Sequence, residues 1–156
     1  AGALTLARPA VAAAQAAHEA DVLTRALRLE HTGLFAYDAV LAEGVLRGAD
    51  DERARVLRGH EAEHAKVLAA ALEGLSWPLP RPPRRVEDVE VPQVRVALDE
   101  LRDRDGAVAL LVELERLSLA AYRAGIARLR DARHIQLAAT ILAAEATHLV
   151  AWRTVG

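Results

Sequence analysis

Glu61-Ala62-Glu63-His64 and Glu145-Ala146-Thr147-His148 set a carboxylate and an imidazole three residues apart, twice in one chain. On a helix, positions i and i+3 stack on one face, so each pair can present both groups to one point. Upstream of each pair stands one glutamate, followed seven residues later by a tyrosine: Glu30 with Tyr37, and Glu115 with Tyr122. The intervals agree, with 31 residues from Glu30 to Glu61 and 30 from Glu115 to Glu145. A helix–turn–helix unit used twice accounts for this spacing. It gathers four glutamates and two histidines, the ligand inventory of a di-iron or di-manganese carboxylate centre inside a four-helix bundle.

The surrounding pattern agrees with that architecture. Leu23, Leu27, Glu30, Leu34, Tyr37 and Leu41 follow alternating steps of four and three, a narrow inward stripe, and predict a first helix from about His18 to Leu46. Gly33 within it costs about 1 kcal/mol relative to alanine, for which close approach of a neighbouring helix is a reason. Gly48 is the expected stop signal and Asp50 the expected cap of the next helix. That second helix, about Asp51 to Leu75, carries Leu57, Glu61, His64, Leu68 and Leu72 on its inner face. Glu63, about 200° around the helix from Glu61, is expected in solvent. His60, one turn before His64 at the stripe edge, is either a surface residue or a substitute ligand; the surface is the expectation.

From Ser76 to about Asp103 the helical pattern breaks at Pro78, Pro80, Pro82, Pro83 and Pro92. Two hairpins in series need a long return link, and this segment supplies it. Its charged cluster, Arg81, Arg84 and Arg85 beside Glu87, Asp88 and Glu90, reads as solvated, and Val94–Leu101 as a short helix. A third helix, about Asp105 to Leu129, places Leu111, Glu115, Ser118, Tyr122, Ile126 and Leu129 inward, which selects Glu115 over Glu113. After a turn capped by Asp131, a fourth runs to about Arg153 with Ala138, Ile141, Glu145, His148 and Trp152 inward. Residues 1–17, small and with Pro9 near their middle, read as an N-terminal arm, either frayed or adding a helical turn or two ahead of the first main helix. The expected fold is all-α: an antiparallel four-helix bundle over residues 18–156, two hairpins joined by a long Pro-rich crossover at about 76–103.

The order Glu30…Tyr37, Glu61-x-x-His64, Glu115…Tyr122, Glu145-x-x-His148 resembles the ferritin-like superfamily, which includes rubrerythrins, bacterioferritins and small bacterial ferritin-like proteins. The likeness spans roughly residues 19–154, and Ile141-Leu142-Ala143-Ala144-Glu145-Ala146-Thr147-His148 is similar to the last helix of the small group. It implies that Glu30 and His64 hold one ion and Glu115 and His148 the other, with Glu61 and Glu145 bridging. It further implies that Tyr37 and Tyr122 hydrogen-bond ligand carboxylates across the bundle; read alone, they are equally well core residues with the hydroxyl at a rim. No catalytic residue is expected beyond the ligands.

Composition narrows the rest. The 156 residues suit one domain, and hydrophobic residues reach 53% with only 3% aromatic, so alanine, leucine and valine fill the core. A formal net charge of −2 gives no field to recruit nucleic acid or an anionic membrane, and no apolar run is expected to reach the length of a membrane span. With no cysteine, disulfides, thiolate metal sites and the cysteine-ligated iron of full rubrerythrins are excluded. The chain starts at alanine, so compartment stays open: bacterial cytoplasm is favoured, and export is compatible with a targeting segment removed ahead of Ala1.

Four buried carboxylates without counter-charge would each cost several kcal/mol or take up a proton. Two divalent cations cancel them, so two iron ions are the expected cofactor; manganese and zinc also suit carboxylate and imidazole. The leading expectation is therefore a di-iron protein with O2- or peroxide-dependent, ferroxidase-like redox activity. The alternatives are an iron-storage cage subunit, a manganese catalase-like enzyme and a metal-free structural or binding bundle. Metal ions and O2 or peroxide are the expected partners, and the alanine-rich outer faces admit a homodimer.

Overall fold

Alanine, leucine, glutamate and arginine are strong helix formers, and in the computed structural model all regular structure among the described residues, 4–154, is helical. The helices are α1 (Leu4–Glu43), α2 (Ala49–Gly74), α3 (Pro92–Asp99), α4 (Arg104–Ile126) and α5 (Ala132–Arg153), with a 3-10 turn at Val86–Asp88. α1 packs along α2 and α4 along α5, each pair joined by a short loop. α1 and α4 join the two hairpins, while α2 and α5 touch only sparingly.

The boundaries differ from the sequence reading for local reasons. α1 begins well before His18, because the alanines between residues 10 and 17 sustain the helix for longer than the extra turn or two that the sequence admits. It ends at Glu43, where Gly44 takes a left-handed φ of 62° that a side chain would strain. Asp50 is not the cap of α2. Gly48 precedes the helix, and Asp50 lies in its first turn, pairing with Arg53 at 2.7 Å and Arg104 of α4 at 2.8 Å. Asp131 does cap α5, accepting the Arg133 N–H at 2.8 Å. The crossover is more than a solvated link. Its charged cluster is exposed, but Val89, Val94, Leu98 and Leu101 are buried against α1 and α4 at one end of the bundle.

α5 is long and apolar enough, by length and composition, to cross a membrane, contrary to the expectation that no run reaches that length. Its many alanines raise the mean hydropathy of an 18-residue window to 1.3. The face it buries in the bundle nonetheless carries His134, Glu145 and His148.

Two apolar clusters fill the interior. One holds Tyr37, Leu57, Leu110, Leu111, Leu114 and Trp152; the other holds Leu23, Leu27, Leu68, Leu72, Tyr122 and Ile141. In every long helix a glutamate stands between the residues of one cluster and those of the other: Leu27-Glu30-Tyr37, Leu57-Glu61-Leu68, Leu111-Glu115-Tyr122, Ile141-Glu145-Trp152. A polar layer thus crosses the middle of an otherwise apolar bundle.

A buried carboxylate away from that layer ties α1 to the α4–α5 turn. Glu19, 2% exposed, accepts the backbone N–H groups of Arg130 and Asp131 at 2.6 and 3.2 Å, and its other oxygen lies 2.9 Å from His134 Nδ1. Negative charge here also faces the N-terminus of α5, where the helix dipole favours it. Glu19→Ala takes the acceptor from two half-buried amides and from the buried His134 ring, so urea unfolding is expected to show a loss of about 2 kcal/mol. Glu19→Gln, which keeps an acceptor oxygen, is expected to lose about 1 kcal/mol.

Candidate metal centre

All six residues singled out in the sequence meet in the polar layer. Glu30, Glu61, His64 and Glu145 offer ligand atoms within 4.8 Å of one another, and so do Glu61, Glu115, Glu145 and His148. Glu61 and Glu145 belong to both groups. Five of the six are buried to 1% exposure or less, and His64 is partly buried with 12% of its side chain exposed. Glu63 is exposed and pairs with Lys66, as its position around the helix predicts.

Periodicity explains how helices deliver these groups to one level, and glycine explains how closely. A Cβ on Gly33 of α1 would lie 3.3 Å from Glu61 Oε2. The helix interior therefore gives up a side chain where α2 brings its carboxylate against α1, the close approach anticipated for this glycine.

Two tyrosines fix the outer carboxylates. Tyr37 Oη, on the first hairpin, donates to Glu115 Oε1 on the second at 2.6 Å. Tyr122 Oη, on the second, donates to Glu30 Oε1 on the first. The pairing is reciprocal, and both hydroxyls are buried rather than at a rim. Burial and the adjoining carboxylate push both phenols well above their usual range, so each stays a donor. With Oε1 tied, Oε2 of Glu30 and of Glu115 is left without a hydrogen-bond partner.

The orphaned atoms test whether this cluster fits a metal. Glu30 Oε2, Glu61 Oε1, His64 Nδ1, Glu115 Oε2, both oxygens of Glu145 and His148 Nδ1 are buried with no hydrogen-bond partner. The imidazoles approach the carboxylates without the alignment of a hydrogen bond. His64 Nδ1 is 3.0 Å from Glu145 Oε1 and 3.5 Å from Glu30 Oε2; His148 Nδ1 is 3.1 Å from Glu61 Oε1 and 3.6 Å from Glu115 Oε2. Buried polar groups are almost always satisfied, and here every one of the six residues contributes an unsatisfied atom aimed at the others. Hard oxygens with imidazole nitrogens form a donor set for iron, manganese or zinc. The residues fit divalent metal.

Two features lay outside the sequence reading. Trp152, expected to close the end of the core, is buried there and also donates its indole N–H to Tyr37 Oη at 2.8 Å. His60 is exposed as a residue, as expected, yet it is not detached from the centre. Its Nδ1 lies 3.0 Å from His148 Nε2, and the two rings stack at 5.2 Å. With Nδ1 of His148 facing the carboxylates, His60 engages the opposite nitrogen and fixes the ring. Its place one turn before His64 was the available signal, but the partner is on α5, which a periodicity argument confined to α2 does not reach.

Comparison with known proteins follows the same lines. The family model described as ferritin-like domain matches residues 18–156. Among solved structures, a conserved hypothetical protein, rv2844, from Mycobacterium tuberculosis superposes with a TM-score of 0.77 at 17% identity, covering 90% of this chain and 98% of that one. At that identity the likeness is one of fold. No curated protein matches the chain.

Electrostatics give the centre a pH signature. Burial, then the neighbouring carboxylates, holds Glu61 far above the usual carboxylate range. Burial, with Glu30 and Glu115, raises Glu145 to about 8 against the pull of His64. Burial disfavours the charged form of His64, but Glu145 and Glu30 outweigh it and raise the ring to about 9. A raised folded-state pKa contributes stability below the unfolded value that is lost as pH rises through the folded one. Metal-free protein is therefore expected to lose melting temperature as pH rises from about 6 to about 9, which calorimetry at several pH values would measure. Dications require these protons to leave, so adding them near neutrality is expected to release protons and to reverse the trend.

Proposed function

The chain belongs to the ferritin-like domain family, and on that premise we propose that it is a dinuclear metal-binding protein, with two iron ions as its cofactor and an O2- or peroxide-dependent, ferroxidase-like activity. The observation that carries the reading is the set of buried, unpartnered ligand atoms on Glu30, Glu61, His64, Glu115, Glu145 and His148. Glu30 with His64 and Glu115 with His148 would hold one ion each. Glu61 and Glu145, common to both quartets, would bridge. Four carboxylates against two dications leave no net charge in the core, which resolves the cost that otherwise raises Glu61 and Glu145.

Bound iron supplies the redox couple, and the chain supplies ligands, geometry and shielding. Tyr37 and Tyr122 hold one oxygen of each terminal carboxylate, which leaves the other oxygen free and would orient it for an ion. His60 orients His148 in the same manner. Apolar clusters on either side keep bulk water from the layer. His64 is the least buried of the six, on the side where α2 and α5 touch sparingly, and is the edge of the layer nearest to solvent.

Anaerobic titration of apoprotein with ferrous ion, read by elemental analysis, is expected to reach two ions per chain. Oxygen should then produce a ferric absorption band. At a free-ion concentration about 100 times Kd, each bound ion is expected to stabilise the fold by about 2.7 kcal/mol, reversed by chelation. One ion per chain would overturn the dinuclear reading, and a chelator-insensitive protein without metal would leave a structural bundle. His60→Ala is expected to weaken metal binding about 10-fold or more with the fold intact, as loss of an outer partner does.

A further inference from the structure

The two halves are related by a shift of 85 residues between α1 and α4 and of 84 between α2 and α5, the shifts that carry Glu30 to Glu115 and Glu61 to Glu145. Beside Tyr37 the related positions are filled: Val40, Leu110, Leu111 and Trp152 are all buried in one cluster. Beside Tyr122 the same positions are Gly125, Arg25, Ala26 and Leu68. There the bundle contains a cavity of about 210 Å³ between α1 and α4, with Leu68 and Ala138 among its walls. The helices are not splayed to create it, since a Cβ on Gly125 would lie 3.3 Å from Val22 Cγ1. The space exists because small side chains, and Leu68 in the place of Trp152, leave the symmetric filling out.

The lining defines a ligand. Val22, Leu23, Leu68 and Leu129 make the interior apolar, and Tyr122 forms part of the wall. Arg25 and Arg128, 69% and 43% exposed, stand at the mouth. Both contact one carboxylate, Asp21, at 3.3 and 3.2 Å, so the mouth keeps a net positive charge, and exposed pairs of this kind are weak enough to exchange partners. A dry apolar cavity of about 150 Å³ already accepts benzene, so the volume here holds a short hydrocarbon chain. We propose that this cavity is a binding site for a small apolar monocarboxylate of about eight to ten non-hydrogen atoms. Its hydrocarbon lies against Ala26, Ala121 and Gly125, beside Leu68, and its carboxylate lies between Arg25 and Arg128. The site does not require metal, although its Tyr122 wall is shared with the side chain that holds Glu30.

Calorimetric titration of metal-free protein with octanoate, 1-octanol and octylamine tests this separately from the metal reading. Octanoate is expected to bind saturably at one per chain, about tenfold tighter than 1-octanol, with no binding of octylamine. Replacing Arg25→Ala and Arg128→Ala together is expected to remove the preference for octanoate and leave 1-octanol unchanged. Leu68→Trp restores the symmetric filling and should abolish binding of both; the exposed rim variant Ala124→Trp provides the same block should the core change impair folding. Absence of saturable octanoate binding, including that caused by a second copy covering this face in a dimer seen by native mass, overturns the proposal. Equal affinity for octanoate and 1-octanol, or binding that survives Ala124→Trp, overturns it as well.

Discussion

Four carboxylates held in one buried layer are the constraint to which the rest of the fold answers. Their mutual repulsion and their burial oppose assembly, and each nearby feature reduces that opposition. Gly33 makes room for Glu61. Tyr37 and Tyr122 each supply a neutral donor to a carboxylate on the other hairpin. The imidazoles of His64 and His148 stand against the remaining oxygens. Two apolar clusters above and below then provide the burial that holds charged groups in place. Without protons or dications, burial and mutual repulsion set Glu61 and Glu145 against the fold.

Much of this was legible in the chain because helical periodicity and ligand spacing are the same signal. Glu30, Glu61, Glu115 and Glu145 fall on stripes otherwise made of leucine, so a residue that breaks hydrophobicity without breaking period stands out. Glu19 gave no such signal, since its partners are backbone amides of a turn more than a hundred residues away. His60 was read from one helix, while its contact comes from another. Ends of helices were the poorest reading: Asp50 resembles a cap, yet Gly48 starts the helix and the aspartate serves Arg53 and Arg104 instead. In the crossover, Val89, Val94, Leu98 and Leu101 are too few and too interrupted by proline to announce a buried face.

The repeat is faithful at the layer and unfaithful beside it. Six ligand-type residues and two tyrosines obey the internal symmetry, whereas Trp152 and Leu68, or His60 and Ala144, do not. One end is consequently solid, with Trp152 bonded to Tyr37 and Arg53 lying over the indole at 5.5 Å. The other is packed around Leu27, Leu68 and Leu72 but keeps a cavity of about 210 Å³ beside Tyr122. Equivalent carboxylates thus sit in inequivalent surroundings.

The crossed tyrosine bonds bear on the order of folding. Contacts inside each hairpin are local and close early, at little loop entropy. Tyr37 to Glu115 and Tyr122 to Glu30 span 78 and 92 residues, so neither phenol can find its acceptor until the halves dock. Each hairpin therefore holds the donor for one carboxylate of the other, and neither half completes its own part of the layer alone.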